Sequence, residues 1–366
     1  MNVPSSTSSS NQRLPRLRWG VVLTGGLLLF ATFAALLETR LAIRGFKPSV
    51  ISSASLWIKE RQRADALGAR ALILVGSSRM LLDTDLDVIR RETGLEPVQL
   101  AVDGSSFMPV LKDLAADPDV QGTVLVDLAL NVLTLPVQYD AAYDYEATYR
   151  QSREHWLPDF NSSETYLTGL LHTRLRVYAD GTKPLTALRL RALKKEPTPQ
   201  FLRMLPDREI LADYSQVPQP DFYYVRVVRN LGQTVLTEGR SHQEIEADFS
   251  NRIAALKPYD DSLFLQSLAS MVEMTRAIQA HGGRVIYAIY PSSGYVREMD
   301  DKRFPRDLFW DRFTAVVDAP HLNFEDVPDL LQFSCPDGSH LDYRERAPFT
   351  EALVQALGLK PATPGK

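Results

Sequence analysis

Short apolar runs, each closed by glycine or polar turn residues and separated by helix-like segments, restrict the fold of this chain more than any other feature. Ala71–Val75 (ALILV) runs into Gly76-Ser77-Ser78 and reads as a strand covered on both faces. Asp83–Glu92 reads as a helix, with Thr84 and Asp87 at capping-box spacing and Gly94 as its stop. Val98–Val102 is the second expected strand, halted by Asp103-Gly104-Ser105-Ser106. Val110–Ala116 is the next helix and Thr123–Leu130 the third strand. This alternation predicts a doubly wound parallel sheet of the α/β class.

The rhythm then breaks. From 135 to 260 the chain is rich in Tyr, Arg and polar residues, with helix-like pieces at Glu164–Tyr178 and Leu185–Lys195. No strand bounded by glycine stands out, so the stretch is read as a long, mainly helical insertion forming a cap. Ser262–His281 is a strong amphipathic helix ended by Gly282-Gly283. Arg284–Tyr290 is the fourth strand, His321–Phe324 a short fifth, and Pro348–Leu357 a closing helix. The expected layout is one domain over 44–358, carrying the insertion, with a disordered tail over 359–366.

The amino-terminal region predicts a membrane anchor. Residues 1–18 are Ser-rich and expected to be disordered. Trp19–Leu37 (WGVVLTGGLLLFATFAALL) has no charge and is close to the ~20 residues a spanning helix needs. A cleaved signal peptide has a shorter apolar core, and no Ala-x-Ala site precedes Glu38. A retained anchor over 19–43 is therefore expected. Arg13, Arg16 and Arg18 place the amino terminus inside, but Arg40, Arg44 and Lys47 balance them, so charge leaves the orientation open.

Composition removes several function classes. The net charge is −4, which gives no basic footprint for nucleic acid. Cys335 is the only cysteine, so neither an internal disulfide nor a Cys-based zinc site can form. His155, His172, His242 and His281 lack metal-ligand spacing, and no metal or other cofactor is expected.

Two short signatures carry the chemistry. Gly76-Ser77-Ser78-Arg79 delivers a serine to the carboxyl end of a strand, where open α/β sheets bind ligands. Cys335-Pro336-Asp337-Gly338-Ser339-His340 places a carboxylate three residues before an imidazole. That spacing lets Asp337 orient His340 and steady its charge when it takes a proton. A serine hydroxyl needs such a base to become a nucleophile. Taken singly, each signature is as well explained by a strand end or a capped surface turn. Their chain order and strand context make them one candidate site.

These residues resemble the SGNH, or GDSL-like, hydrolase superfamily. The resemblance is closest to its membrane-anchored branch, which includes proteins of polysaccharide O-acetylation and of D-alanyl transfer. It covers about Ala71–Asn131 and Met271–Leu357. It implies a flavodoxin-like sheet, Ser78 rather than Ser77 as nucleophile, and Asp337 and His340 as its partners. It also implies an oxyanion hole made by the Ser78 and Gly104 amides and the Asn131 side chain. The third family block usually reads Gly-x-Asn-Asp, whereas this chain has Ala129-Leu130-Asn131-Val132. Asp127, the next polar candidate in that strand, reads as structural.

The implied function is an anchored extracytoplasmic serine esterase or O-acyltransferase, in the inner membrane with its domain on the periplasmic side. The substrate would be a cell-envelope polysaccharide, and a membrane-bound O-acyltransferase a possible partner. The alternative is a non-catalytic scaffold of an acylation complex, since fold does not imply function. Tyr139, Tyr143, Tyr145 and Tyr149 read as cap residues packed on the core before they read as a sugar platform. Arg79 reads as salt-bridged, His321 as a turn or strand start, and Pro291-Ser292-Ser293 as a loop on the rim of the site.

Overall fold

The computed structural model describes residues 18–134, 140–154, 198–232 and 239–359, with 169, 171–179, 182, 189, 192–193 and 234 between them. The Ser-rich start, most of Leu185–Lys195, much of Glu164–Tyr178, the final Pro/Gly tail, Tyr139 and His155 lie outside the described residues. Ala71–Val75 forms strand β1 and is buried along its whole length. It pairs in parallel with β2, Glu96–Gln99, on one side and β3, Thr123–Asp127, on the other. Beyond β3 lie β6, Arg284–Ile289, and β7, His321–Asn323, also parallel. The order is β2-β1-β3-β6-β7. The chain leaves β1 for one side of the sheet and then returns to the other, so the switch point lies between β1 and β3.

Alternate residues sort into two cores. Ala71, Ile73, Val75, Val124, Val126, Val285 and Tyr287 face one layer, with Trp57, Leu111, Met271 and Phe313 from its helices. Leu72, Leu74, Leu125, Ile286 and Ala288 face the other, with Leu81, Ile89, Phe349 and Leu353. Apolar side chains on both faces explain why these strands read as continuous hydrophobic runs.

Element ends differ from the sequence reading for physical reasons. β3 stops at Asp127, and Leu130–Thr134 is a short helix. Leu128 and Ala129 are apolar because they are buried, not because the strand continues. β2 is shorter than expected, although the Leu100 and Val102 amides still bond to Leu74 and Gly76. Asp85, not Thr84, caps the helix Leu86–Thr93, accepting from the Val88 amide.

The insertion is not simply helical. Among its described residues are helices Ala141–Glu154, Asp221–Leu231 and His242–Ala254, but also a hairpin of β4, Leu202–Met204, and β5, Ile210–Ala212. Met204, Ile210 and Ala212 join the second core, whereas Ala142 and Tyr149 join the first. The stretch expected to cap the domain is therefore woven into both layers. The hairpin leaves no signal in the sequence because three-residue strands are too short to show a period.

The amino-terminal helix Trp19–Ile43 is long and apolar enough to cross a membrane. Its apolar side chains, Leu23, Leu27, Leu29 and Phe30 among them, are exposed. Only Leu41 near its end is buried, packed with Phe46 and Ala179.

Candidate active site

The site is assembled at the carboxyl ends of β1 and β3. Gly76 ends β1 because nothing larger fits. A Cβ there would lie 2.8 Å from Asp127 Cβ and 2.9 Å from Met80 Cβ. The chain then turns at Ser77, and Ser78 opens the short helix Ser78–Asp83. As the first residue of that helix, Ser78 has no intrahelical acceptor for its amide.

The partner loop comes from the far end of the chain. Gly338 has φ +85°, and a Cβ on it would lie 2.4 Å from Val296 Cγ2, so only glycine makes this reversal. The Gly338 amide donates to the Cys335 carbonyl at 2.9 Å. The loop after β6 holds the outside of this turn. Ser293 N donates to the Gly338 carbonyl at 2.9 Å, and Ser293 Oγ accepts from the Cys335 amide at 2.9 Å. The Pro291-Ser292-Ser293 segment thus supports the site from its rim.

Within the loop, Asp337 Oδ1 accepts the Ser339 and His340 amides, both at 2.9 Å. Asp337 Oδ2 pairs with His340 Nδ1 at 2.9 Å, and His340 Nε2 lies 2.7 Å from Ser78 Oγ. Asp337 and His340 are buried, and Ser78 is half-buried. Burial alone would raise the Asp337 carboxyl. The hydrogen bond and charge of His340, the Ser339 amide and the Arg226 cation outweigh it and hold the group below the ordinary carboxylate range.

Ser78, His340, Gly104 and Asn131 line one cavity of about 1250 Å³. Gly104 follows β2 with open space beside it, and Asn131 sits exposed on the helix Leu130–Thr134. The five sequence-predicted residues are therefore brought to one place, with Asp337 behind the imidazole rather than on the cavity wall.

Four further residues come with them. Asp83 Oδ1 accepts the Leu341 amide at 2.8 Å, while its second oxygen has no partner. Burial pushes Asp83 up to about 7. Asp127 lines the cavity, and burial pushes it up to about 6 against the nearby charges of Arg79 and His340 and the Ser77 amide. Arg226 Nη2 stands 3.3 Å from Asp337 Oδ2. The Tyr214 hydroxyl lies beside the same carboxylate. Burial and the neighbouring Asp337 raise it well above the ordinary phenol range.

Sequence reasoning set Asp127 aside as structural and gave Asp83, Tyr214 and Arg226 no role. In the sequence Asp83 reads only as the start of the helix Asp83–Glu92, and nothing there sets it apart; in the structure it ends the helix Ser78–Asp83. Arg79 is ion-paired to Asp300 at 3.6 Å. Tyr149 is buried and donates to Asp65, Tyr145 packs near Trp57, and only Tyr143 of these three lines the cavity.

No family model matches the chain, and no curated protein or solved structure is similar enough to it to count as a match.

Proposed function

We propose that this protein is a serine esterase or O-acyltransferase of the SGNH type, acting on a cell-envelope polysaccharide through an acyl-Ser78 intermediate. The observation that carries the reading is the continuous relay from Ser78 Oγ to His340 Nε2, 2.7 Å, and from His340 Nδ1 to Asp337 Oδ2, 2.9 Å. A strand order in which β1 and β3 flank the switch point agrees with a flavodoxin-like sheet. The cavity exceeds the ~300–1,000 Å³ usual for small-molecule pockets, which suits a segment of polymer.

In this reading Ser78 Oγ attacks the acyl carbonyl as His340 Nε2 takes its proton. Asp337 holds the tautomer and balances the imidazolium. The oxyanion is met by the Ser78 and Gly104 amides and the Asn131 side-chain amide. Collapse expels the alcohol, which takes the proton back from His340. Water then completes an esterase cycle, or a sugar hydroxyl a transferase cycle, again deprotonated by His340. In the transferase case a membrane-bound O-acyltransferase partner would supply the acyl group. The Trp19–Ile43 helix suits an inner-membrane anchor with the domain outside.

The test is covalent trapping. A fluorophosphonate probe should label the full chain at Ser78, and Ser78→Ala should abolish the label. Hydrolysis of a small acetyl ester should fall by about 10³-fold or more in Ser78→Ala and in His340→Ala. The double variant should lose little more, because residues acting as one unit are not additive. A folded protein that takes no label and turns over no ester would overturn the reading in favour of a scaffold role, and losses that simply multiply would show that Ser78 and His340 do not act as one unit.

A further inference from the structure

One side chain of the insertion reaches the relay. Arg226 belongs to the helix Asp221–Leu231, and its Nη2 approaches Asp337 Oδ2 to 3.3 Å. That oxygen is the one paired with His340 Nδ1. The other carboxylate oxygen is already occupied by two amides. The guanidinium therefore shares the single acceptor that orients the base.

Its position is built rather than accidental. Tyr223 Oη accepts the Tyr295 amide at 2.7 Å, and the Tyr223 ring packs where Gly338 leaves room for it. Tyr224 stacks edge-on against Phe249. The guanidinium lies 5.7 Å from the Phe222 ring centre. The Arg226 side chain is 28% exposed, whereas that of Asp337 is 0% exposed.

The charges around His340 give this contact a consequence. Asp337 comes from its own loop, Asp83 from the nucleophile's helix, and Asp127 from the end of β3; towards lower pH Asp83 and Asp127 take up protons, and Asp337 is the carboxylate that still faces the imidazole. Arg79 stands among Asp83, Asp127 and Asp300, the neutral Tyr214 hydroxyl and buried Cys335 thiol lie nearby, and Ser78 Oγ is the remaining contact. Carboxylates favour the imidazolium, and a general base must be free of its proton when substrate arrives. A cation on the shared oxygen opposes that bias.

Resting on the serine-hydrolase reading, we propose that Arg226 is a positioning residue that shares Asp337 Oδ2 with His340 and so keeps His340 free to act as base towards lower pH. The insertion thereby completes the relay.

The test titrates the ring directly. His340 is followed by NMR in full-length, ¹⁵N-histidine-labelled protein in detergent, its signals assigned by loss in His340→Gln. In Arg226→Met the His340 midpoint should rise by about one pH unit, the direction expected when the cation on the shared Asp337 oxygen is lost. In Arg226→Lys it should stay near the parent. The acid limb of kcat/KM for a small acetyl ester should move with it. An unchanged midpoint and acid limb in Arg226→Met would overturn the proposal while leaving Ser78-dependent turnover intact. Absence of Ser78-dependent turnover in the parent would instead sink the hydrolase reading, and the catalytic purpose of Arg226 with it. If Arg226→Met fails to fold, Arg226→Gln is judged by the same criteria.

Discussion

Asp83 ties the helix that Ser78 opens to the chain just after His340, through the Leu341 amide, and leaves one buried oxygen unpaired. Burial lifts its folded-state value to about 7, against about 4 in an unfolded chain. The folded state therefore binds the proton more tightly. The stability this contributes is complete below about pH 4 and is lost as pH rises through about 7. Asp83→Asn keeps an acceptor for Leu341 and removes the ionisation. The variant should gain stability relative to the parent progressively across that window and remain ahead at pH 8. Urea denaturation midpoints measured against pH would show it, and parallel curves for parent and variant would refute it. Asp127, pushed up in the same direction to about 6, should leave the variant with a residual slope.

The β4–β5 hairpin shows how an element with little sequence signal can matter. Its turn closes with Leu205 N on the Glu209 carbonyl at 2.8 Å and Arg208 at φ +72°. Arg208 is fully buried and donates to the Gln99 and Ala101 carbonyls at 3.1 and 2.7 Å. Those carbonyls lie where edge strand β2 ends. Glu209 accepts the Leu86 amide and pairs with Arg346, both within 2.7 Å. Replacing Arg208 by Leu would relieve a buried cation, whose value burial lowers to about 10, and its unpaired Nη1. It would also strand two buried carbonyls, each costing about 1–3 kcal/mol. The carbonyl loss is the larger effect, so Arg208→Leu should destabilise the fold by about 2–4 kcal/mol in urea unfolding. A change below about 0.5 kcal/mol, the range of ordinary surface substitutions, would show that water replaces the guanidinium there.

At the scale of the whole molecule, the end of the apolar helix is held by residues of the insertion. The Glu38 carboxylate accepts the Arg176 and Val177 amides, each at 2.9 Å, and Arg176 Nε donates to the Phe46 carbonyl at 3.0 Å. The insertion thus touches the end of the apolar helix as well as the candidate site. The mature protein should retain Trp19–Leu37, and a phosphatase fused after Arg44 should be active outside the cell membrane. Amino-terminal sequencing that begins beyond Leu37 would exclude the anchor, and an inactive fusion would exclude the exported orientation.

What the sequence determined by itself was local. Ala71–Val75, Thr123–Asp127 and Arg284–Ile289 were legible as strands because burial on both faces leaves an unbroken apolar run. The Trp19–Ile43 helix was legible from its length and lack of charge. The pairing of Asp337 with His340 was legible because three residues around one glycine turn set that distance. Other features depended on packing. Ser78 meets His340 only because β1 and the final loop end at the same edge of the sheet. Asp83 and Asp127 look like ordinary carboxylates in the sequence, and only enclosure by both layers shuts them away from water. Arg226 lies in a stretch with no strand rhythm, and its contact with Asp337 exists because the Tyr223 side of its helix packs against Gly338. Period and spacing report which face of an element is apolar. Which faces meet, and which charges become buried together, is decided when the layers close.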